Sequence, residues 1–430
     1  MSLIDTLKEH VKPSLGCTEP AAVALTAATA REAIGGEIDR IQVILDPKVF
    51  RNGLAVGLPV AGKPKGNLMA AALGAVGGDP DLGLEVFSTV TPQHLAKAQA
   101  LLAAGRVTLR VDKQRRELYV EVRVDTPTGT ARAITKGSHT KVTYVEANGV
   151  PLQSTSQSQR PEDSTPGDKA SRWLRSASVA EIIARIKEMD APSLQYTLQG
   201  IRMNEQAAKE GLRQAPGLAI GARLARSASQ NRATESMHWQ AQTTAAAAVD
   251  ARMAGLQVQI MTSSGSGNQG ITVTMPPLAV AQCLGLDEKR LAQSVALGHL
   301  LLARLTQEIG LLTALCGTAV QAAAAASAAI AWLMGGNAAQ IEQAACTVLG
   351  TQIGILCDGA KESCAIKTAG AADVAVRTAL LSLGGLDIPP ASGLIGRTLL
   401  ETAHAVALIA REGMMGTEEC VLDIMERNAA

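Results

Sequence analysis

Seven cysteines stand in a chain of 430 residues, Cys17 alone near the start and the other six after residue 280. Thiols in a reducing compartment seldom form disulfides, so clustered ones point to metal binding or catalysis. Cys316 opens the segment Cys-Gly-Thr-Ala-Val, and Cys357 and Cys364 bracket Cys-Asp-Gly-Ala-Lys-Glu-Ser-Cys. Three thiolates suit zinc or an iron–sulfur cluster. Cys-x6-Cys is not a usual zinc spacing and Cys-x2-Cys pairs are absent, so spacing leaves iron–sulfur, zinc and no metal open. A cubane held by three cysteines would leave one iron without a protein thiolate, free to act as a Lewis acid. In a straight helix Cys357 and Cys364 would share a face yet lie about 10.5 Å apart along the axis. Asp358-Gly359 predicts a turn instead, with a new helix beginning near Cys364. Cys283, Cys346 and Cys420 read as small buried hydrophobes.

Cys17 lies in Gly16-Cys-Thr-Glu-Pro-Ala-Ala. Thr18 suits an N-cap and Pro20 the first helical turn. The thiol is thereby expected at a helix N-terminus, where the macrodipole favours thiolate and lowers the cysteine pKa. A thiol titrating near neutrality can take and return a proton.

The loop Thr262-Ser-Ser-Gly-Ser-Gly-Asn-Gln-Gly270 can present several backbone N–H groups to an anion, or can serve as a tight connection between helices. Ser264 and Asn268 are its candidates for a substrate carboxylate. Lys367 is a candidate cation beside the thiols, although a solvated or helix-capping lysine fits the same position. His94, His139, His238, His299 and His404 are scattered, with no His-x3-His pair.

The elements that must position these residues give an α+β fold. A large alanine-rich helical domain carries the chemistry, and a smaller α+β domain with an antiparallel sheet is inserted into it. Residues 1–36 read as N-terminal helices packing on the helical domain and carrying Cys17, ended by Gly35-Gly36. Residues 37–150 form the insert, with strands expected at Ile38–Leu45, Arg106–Asp112, Glu117–Asp125, Thr130–Thr135 and Lys141–Glu146, and helices at Lys65–Val76 and Pro92–Ala104. Residues 151–172, rich in Ser, Gln, Pro and charge, read as a polar linker. Residues 173–430 read as helices, among them Trp239–Ala254, Leu278–Leu284, Glu288–Thr313, Thr318–Met334 and Cys364–Leu383.

Forty basic against thirty-nine acidic residues give no electrostatic reason to expect nucleic acid or a membrane surface. Aromatic residues are 2%, too few for base-stacking platforms. Charges interrupt the first ten residues, and the apolar run Ala319–Met334 is alanine-dominated with Gln321 and Ser327 inside it. Neither reads as a signal peptide or a membrane span, so a cytoplasmic protein is expected. The alanine-rich helical surface admits a homodimer.

Gly16-Cys-Thr-Glu-Pro-Ala-Ala, Met261-Thr-Ser-Ser-Gly-Ser-Gly-Asn-Gln-Gly, Cys316-Gly-Thr and Cys357-Asp-Gly-Ala-Lys-x-x-Cys-Ala-x-Lys together resemble the L-cysteine desulfidases, a family related to the α subunit of iron–sulfur L-serine dehydratases. The resemblance spans residues 10 to about 415 and is weakest across 152–172. It implies a [4Fe–4S] cluster on Cys316, Cys357 and Cys364, with Cys17 as proton acceptor. The implied reaction is β-elimination from L-cysteine to pyruvate, ammonia and sulfide, without pyridoxal phosphate. Two alternatives stand beside it: L-serine as substrate, and a non-catalytic metal-binding redox sensor.

Overall fold

The structure is a computed structural model, and it describes residues 2–115, 117–154, 172–231, 236–389 and 392–429. The chain opens with helix α1 (Leu3–His10), the short strand β1 (Pro13–Leu15) and helix α2 (Thr18–Ile34). Strand β2 (Arg40–Leu45), helices α3 (Pro47–Gly53), α4 (Asn67–Gly77) and α5 (Pro92–Ala103), and strand β3 (Val107–Val111) follow. Strands β4 (Tyr119–Thr126), β5 (Gly129–Lys136), β6 (Val142–Ala147) and β7 (Val150–Ser154) complete a six-stranded sheet in the order β3-β2-β4-β5-β6-β7.

Valine at every second position explains how this sheet faces its core. Val120, Val122 and Val124 of β4 are fully buried, while Glu121, Arg123 and Asp125 point away. The expected antiparallel sheet is present in β2, β4, β5, β6 and β7, and β3 joins its edge parallel to β2. A parallel pair needs a crossover, and α3, α4 and α5 supply it. β7 occupies residues expected to begin the linker, and the rest of that stretch, 155–171, lies outside the described residues.

Helix α2 also departs from the sequence reading. Its alanines, from Ala21 to Ala30, belong to the core of the sheet unit and pack on α4, β4 and β5. A stripe of alanine lets α4 come close, and a Cβ at Gly74 would lie 2.2 Å from the Ala24 carbonyl oxygen. Leu3, Leu7 and Val11, in and just after α1, belong instead to the core of the helical unit. Cys17 therefore stands where the chain leaves one core for the other.

The helical unit contains α6 (Val179–Lys187), α7 (Ala191–Gln214), α8 (Ile220–Gln230) and α9 (Met237–Met253), then strand β8 (Gln259–Met261), α10 (Gly267–Leu284) and α11 (Glu288–Ile309). After these come α12 (Ala323–Leu333), α13 (Ala338–Thr351), α14 (Cys364–Leu383), α15 (Leu399–Leu408) and α16 (Met415–Ala429). α9, α10, α12 and α14 are the central members, buried along most of their lengths. α10 starts eleven residues before the expected Leu278, with Pro276 and Pro277 inside it, so the glycine-rich loop is shorter than the sequence suggested. A single π-helical turn, Thr318–Ala322, precedes α12 just after Cys316; such turns often mark functional sites. No helix among the described residues is long and apolar enough to cross a membrane.

Candidate active site

β1 and β8 form a two-stranded ladder that joins segments almost 250 residues apart, with Pro13 opposite Met261 and Leu15 opposite Gln259. The ladder continues into the loop, where Thr262 N–H donates to Lys12 O (2.8 Å) and Ser264 N–H to His10 O (2.7 Å). The start of α2 is thereby held beside the start of α10. Gly16 has φ +79°, a left-handed turn open to glycine, and it sets Cys17 as the N-cap of α2. The cap is Cys17 itself and not Thr18.

A second pairing brings the other thiols in. Leu315 and Leu356 form an antiparallel bridge, with Cys316 N–H donating to Ile355 O and Cys357 N–H to Ala314 O, each 2.8 Å. Cys316 and Cys357 thus leave neighbouring backbones. Between Cys357 and Cys364 the chain turns without helix, helped by Gly359 at φ +88°, and α14 begins at Cys364. The loop is pinned by Lys367 and Lys361, whose Nζ atoms each reach an Asp358 carboxylate oxygen at 2.5 Å, while Lys367 Nζ also donates to Leu356 O at 2.8 Å.

Cys17, Cys316, Cys357 and Cys364 line one cavity. Glu19, Asn52, Arg252, Asn268 and Gln269 line it with them. Its volume is ≈ 80 Å³, whereas one water needs roughly 10–15 Å³. Among the described residues no three His, Cys, Asp or Glu side chains are arranged to hold a single metal ion. One zinc would draw its thiolates to about 3.8 Å from each other, given Zn–S bonds of about 2.3 Å. The three thiols lining this cavity are a soft donor set, the chemistry that suits zinc or an iron–sulfur cluster. Burial and the neighbouring Cys357 and Cys364 push Cys316 up to about 12, so this set holds thiolates well only with compensating positive charge.

Cys17 is 2% exposed, and its Sγ–H donates to Glu19 Oε2 at 3.1 Å. Burial, then the Glu19 charge, pushes the thiol far above its ordinary value. This corrects the expected near-neutral thiol. A helix N-terminus contributes roughly 0.3–1 kcal/mol, while full burial shifts a group by up to about 3–5 pKa units, at about 1.4 kcal/mol each. Burial wins. Burial also opposes charge on Glu19, but His139, the Cys17 and Asn52 hydrogen bonds and Arg252 outweigh it and hold its carboxyl below the ordinary range. Asn52 Nδ2 donates to Glu19 Oε1 at 2.8 Å, and Thr18 Oγ1 to Glu19 Oε2 at 3.0 Å.

The sequence reading missed Glu19 as a working residue, as well as Asn52, His139 and Arg252. Arg252 is 2% exposed and spans the site, its Nε donating to Gly16 O (3.1 Å) and its Nη1 to Asn268 Oδ1 (2.9 Å). Its Nη2 and the Arg51 Nε are buried without a partner among the described residues, and both side chains line the cavity. Two orphaned guanidinium donors are what an incoming carboxylate would satisfy. A buried arginine inside an alanine-rich helix was the available signal.

Of the expected substrate residues, Asn268 lines this cavity. Ser264, with φ 48°, lines an adjoining one. Lys367 does not line the cavity and holds the loop between the thiols. Burial works against its charge, but Asp358 and the cysteines outweigh it, so it stays a cation close to Cys316 and Cys364. Cys346 is buried and Cys283 half-buried, whereas Cys420 is exposed on α16, against the sequence reading of a buried residue.

Residues 81–423 match the family model described as serine dehydratase alpha chain. The chain belongs to that family. Full-length relatives include the UPF0597 protein of Desulfatibacillum aliphaticivorans, 37% identical over 426 residues and covering 98% of this chain and 97% of the relative. The UPF0597 proteins of Alkaliphilus oremlandii and Geobacter sulfurreducens are each 35% identical, covering 99% and 98% of this chain and 97% of each relative. The family model begins after the Cys17 segment, and the UPF0597 relatives align over nearly the whole chain.

Proposed function

We propose that the protein is an iron–sulfur lyase that removes the β-substituent of a small L-amino acid. L-Cysteine is the proposed substrate, giving sulfide, pyruvate and ammonia. The observation that carries this reading is the meeting of Cys17 with three thiols from remote segments in one cavity. Cys316, Cys357 and Cys364 would hold a [4Fe–4S] cluster. When bound, it supplies an iron without a protein ligand, a Lewis acid for an electron-rich group of the substrate.

The chain's own residues do the rest. Arg252, aligned by Asn268 and Gly16, offers Nη2 to the substrate carboxylate. Cys17 is the proposed acceptor of the α-proton; it must first lose its own proton, which requires positive charge in the cavity to offset its burial, and Glu19 Oε2, 3.1 Å away, lies on the path of that proton. The carbon–sulfur bond then breaks, its electron pair leaving with sulfur as the α-carbon pair forms the double bond. The aminoacrylate released tautomerises and is hydrolysed to pyruvate and ammonia. Asn52 and Thr18 keep Glu19 oriented to receive and return the proton. Lys367 adds positive charge beside the thiolates. Reduced cysteines and an oxygen-sensitive group suit a cytoplasmic setting.

The second reading keeps every role and changes the leaving group to water, as the family's description favours. Feeding anaerobically reconstituted protein L-cysteine and L-serine separately, and measuring pyruvate with sulfide, decides between them. Pyruvate from serine alone overturns the cysteine assignment. Bound iron with no pyruvate from either overturns the lyase reading.

A further inference from the structure

A second cavity, of ≈ 360 Å³, lies between α1, the Ser138–Thr140 turn, the glycine-rich loop and α11. That volume is within the range of roughly 300–1,000 Å³ typical of small-molecule sites. It borders the cysteine-lined cavity, because Gly265 and Leu311 belong to both walls. His139, 3% exposed, stands at this border with its Nε2 3.9 Å from Glu19 Oε1.

The polar lining of this second cavity is unusual. His10 Nε2, His139 Nε2, Ser264 Oγ and both amide atoms of Gln307 are buried, and none has a hydrogen-bond partner among the described residues. His139 and Ser264 are each more than nine-tenths buried. An unsatisfied buried polar group costs about 1–3 kcal/mol, and native structures leave few of them. Orphans gathered around one cavity are accounted for if a polar molecule occupies it.

The chemistry of that molecule follows from the rest of the wall. Lys12 brings a cation and Glu9 a carboxylate, and the two flank His10. Burial pushes both histidines below their ordinary value, against the neighbouring Glu9 and Glu19 carboxylates. Leu84, Ala303 and Leu311 give an apolar side. A ligand with one anionic end, one cationic end and a short carbon skeleton complements all three features.

We propose that this cavity binds a small zwitterionic α-amino acid and holds it at the doorway of the cysteine-lined site. The proposal rests on the lyase reading in taking the ligand to be the substrate class, but its test does not require turnover.

L-Alanine is the probe, since it has both charged ends and no β-leaving group. Calorimetric titration of the whole protein with L-alanine is expected to show saturable binding. Gln307→Leu is expected to weaken it at least tenfold, and Cys17→Ala to leave it unchanged. Gln307→Leu removes two unsatisfied amide atoms, so its melting temperature should not fall. His10→Phe gives a second test should that variant fail to fold. Absent binding, or binding that neither variant weakens, overturns the proposal. Pyruvate or ethylamine binding as tightly as L-alanine overturns the zwitterion assignment. L-Alanine binding without lyase turnover leaves this site standing and removes only the reaction.

Discussion

Cys17 Sγ lies 3.1 Å from Glu19 Oε2, and the two side chains are buried together at the first turn of α2. A thiol and a carboxylate this close share one proton between two poor homes, since burial disfavours charge on either. His139, the Cys17 hydrogen bond, Arg252 and the Asn52 hydrogen bond tip the balance towards charge on Glu19. The proton of the pair therefore rests on sulfur, with the thiol raised and the carboxyl held low.

Cys17→Ala is expected to lower pyruvate formation by about 10²–10⁴-fold, the usual range for loss of a general base. Iron and acid-labile sulfide should remain at the level of the unaltered protein. Loss of iron together with activity would make Cys17 a ligand instead.

Cys316→Ser, Cys357→Ser and Cys364→Ser should each abolish or sharply reduce bound iron after anaerobic reconstitution. Cys346→Ala, Cys283→Ala and Cys420→Ala should not, because none of these three lines the cavity. The measurement is iron per chain. Equal loss across all six would point to unfolding and not to ligation.

Glu19→Gln removes a buried negative charge beside Cys17. The thiol pKa should therefore fall, because that charge is one of the causes raising it. Alkylation of Cys17 in iron-free protein should begin at lower pH in the variant, while turnover falls for want of a proton acceptor. An alkylation profile that moves to higher pH would contradict this electrostatic account.

His299 is buried in α11 with its Nδ1 2.9 Å from Ser263 Oγ, and burial pushes its pKa down to about 3. In the unfolded chain it titrates near 6.5. Between those values the unfolded state binds the extra proton, so this stability is full above about pH 6.5 and is lost as pH falls towards 3. The shift corresponds to several kcal/mol at about 1.4 kcal/mol per unit. Urea unfolding at pH 7 and pH 4.5 should show the loss, and His299→Gln should make it smaller.

Gly74→Ala would place a Cβ 2.2 Å from Ala24 O, backbone that cannot swing away. Overpacking of this kind costs about 1–3 kcal/mol. The melting temperature should fall and, because α2 carries Cys17, turnover should fall with it. A variant as stable as the parent would show that α2 and α4 have slack between them.

Local pattern determined a good deal. Alternating valines mark β4, the Asp358-Gly359 turn and a helix from Cys364 are visible in the residues themselves, and alanine density marks the central helices. Each depends on neighbours a few residues away, whose sterics and periodicity act whatever the rest of the chain does. Tertiary structure decided what long-range partners control. The parallel pairing of β3 with β2 and the seating of α2 on the sheet came only from the folded chain, as did the β1–β8 ladder. So did the reach of Arg252 to Gly16 across 236 positions. The thiol of Cys17 shows the division most clearly. Its place at a helix start is written in Gly16 to Pro20, but its proton affinity is set by burial between two cores. Dehydration by residues far along the chain outweighs the dipole of its own helix.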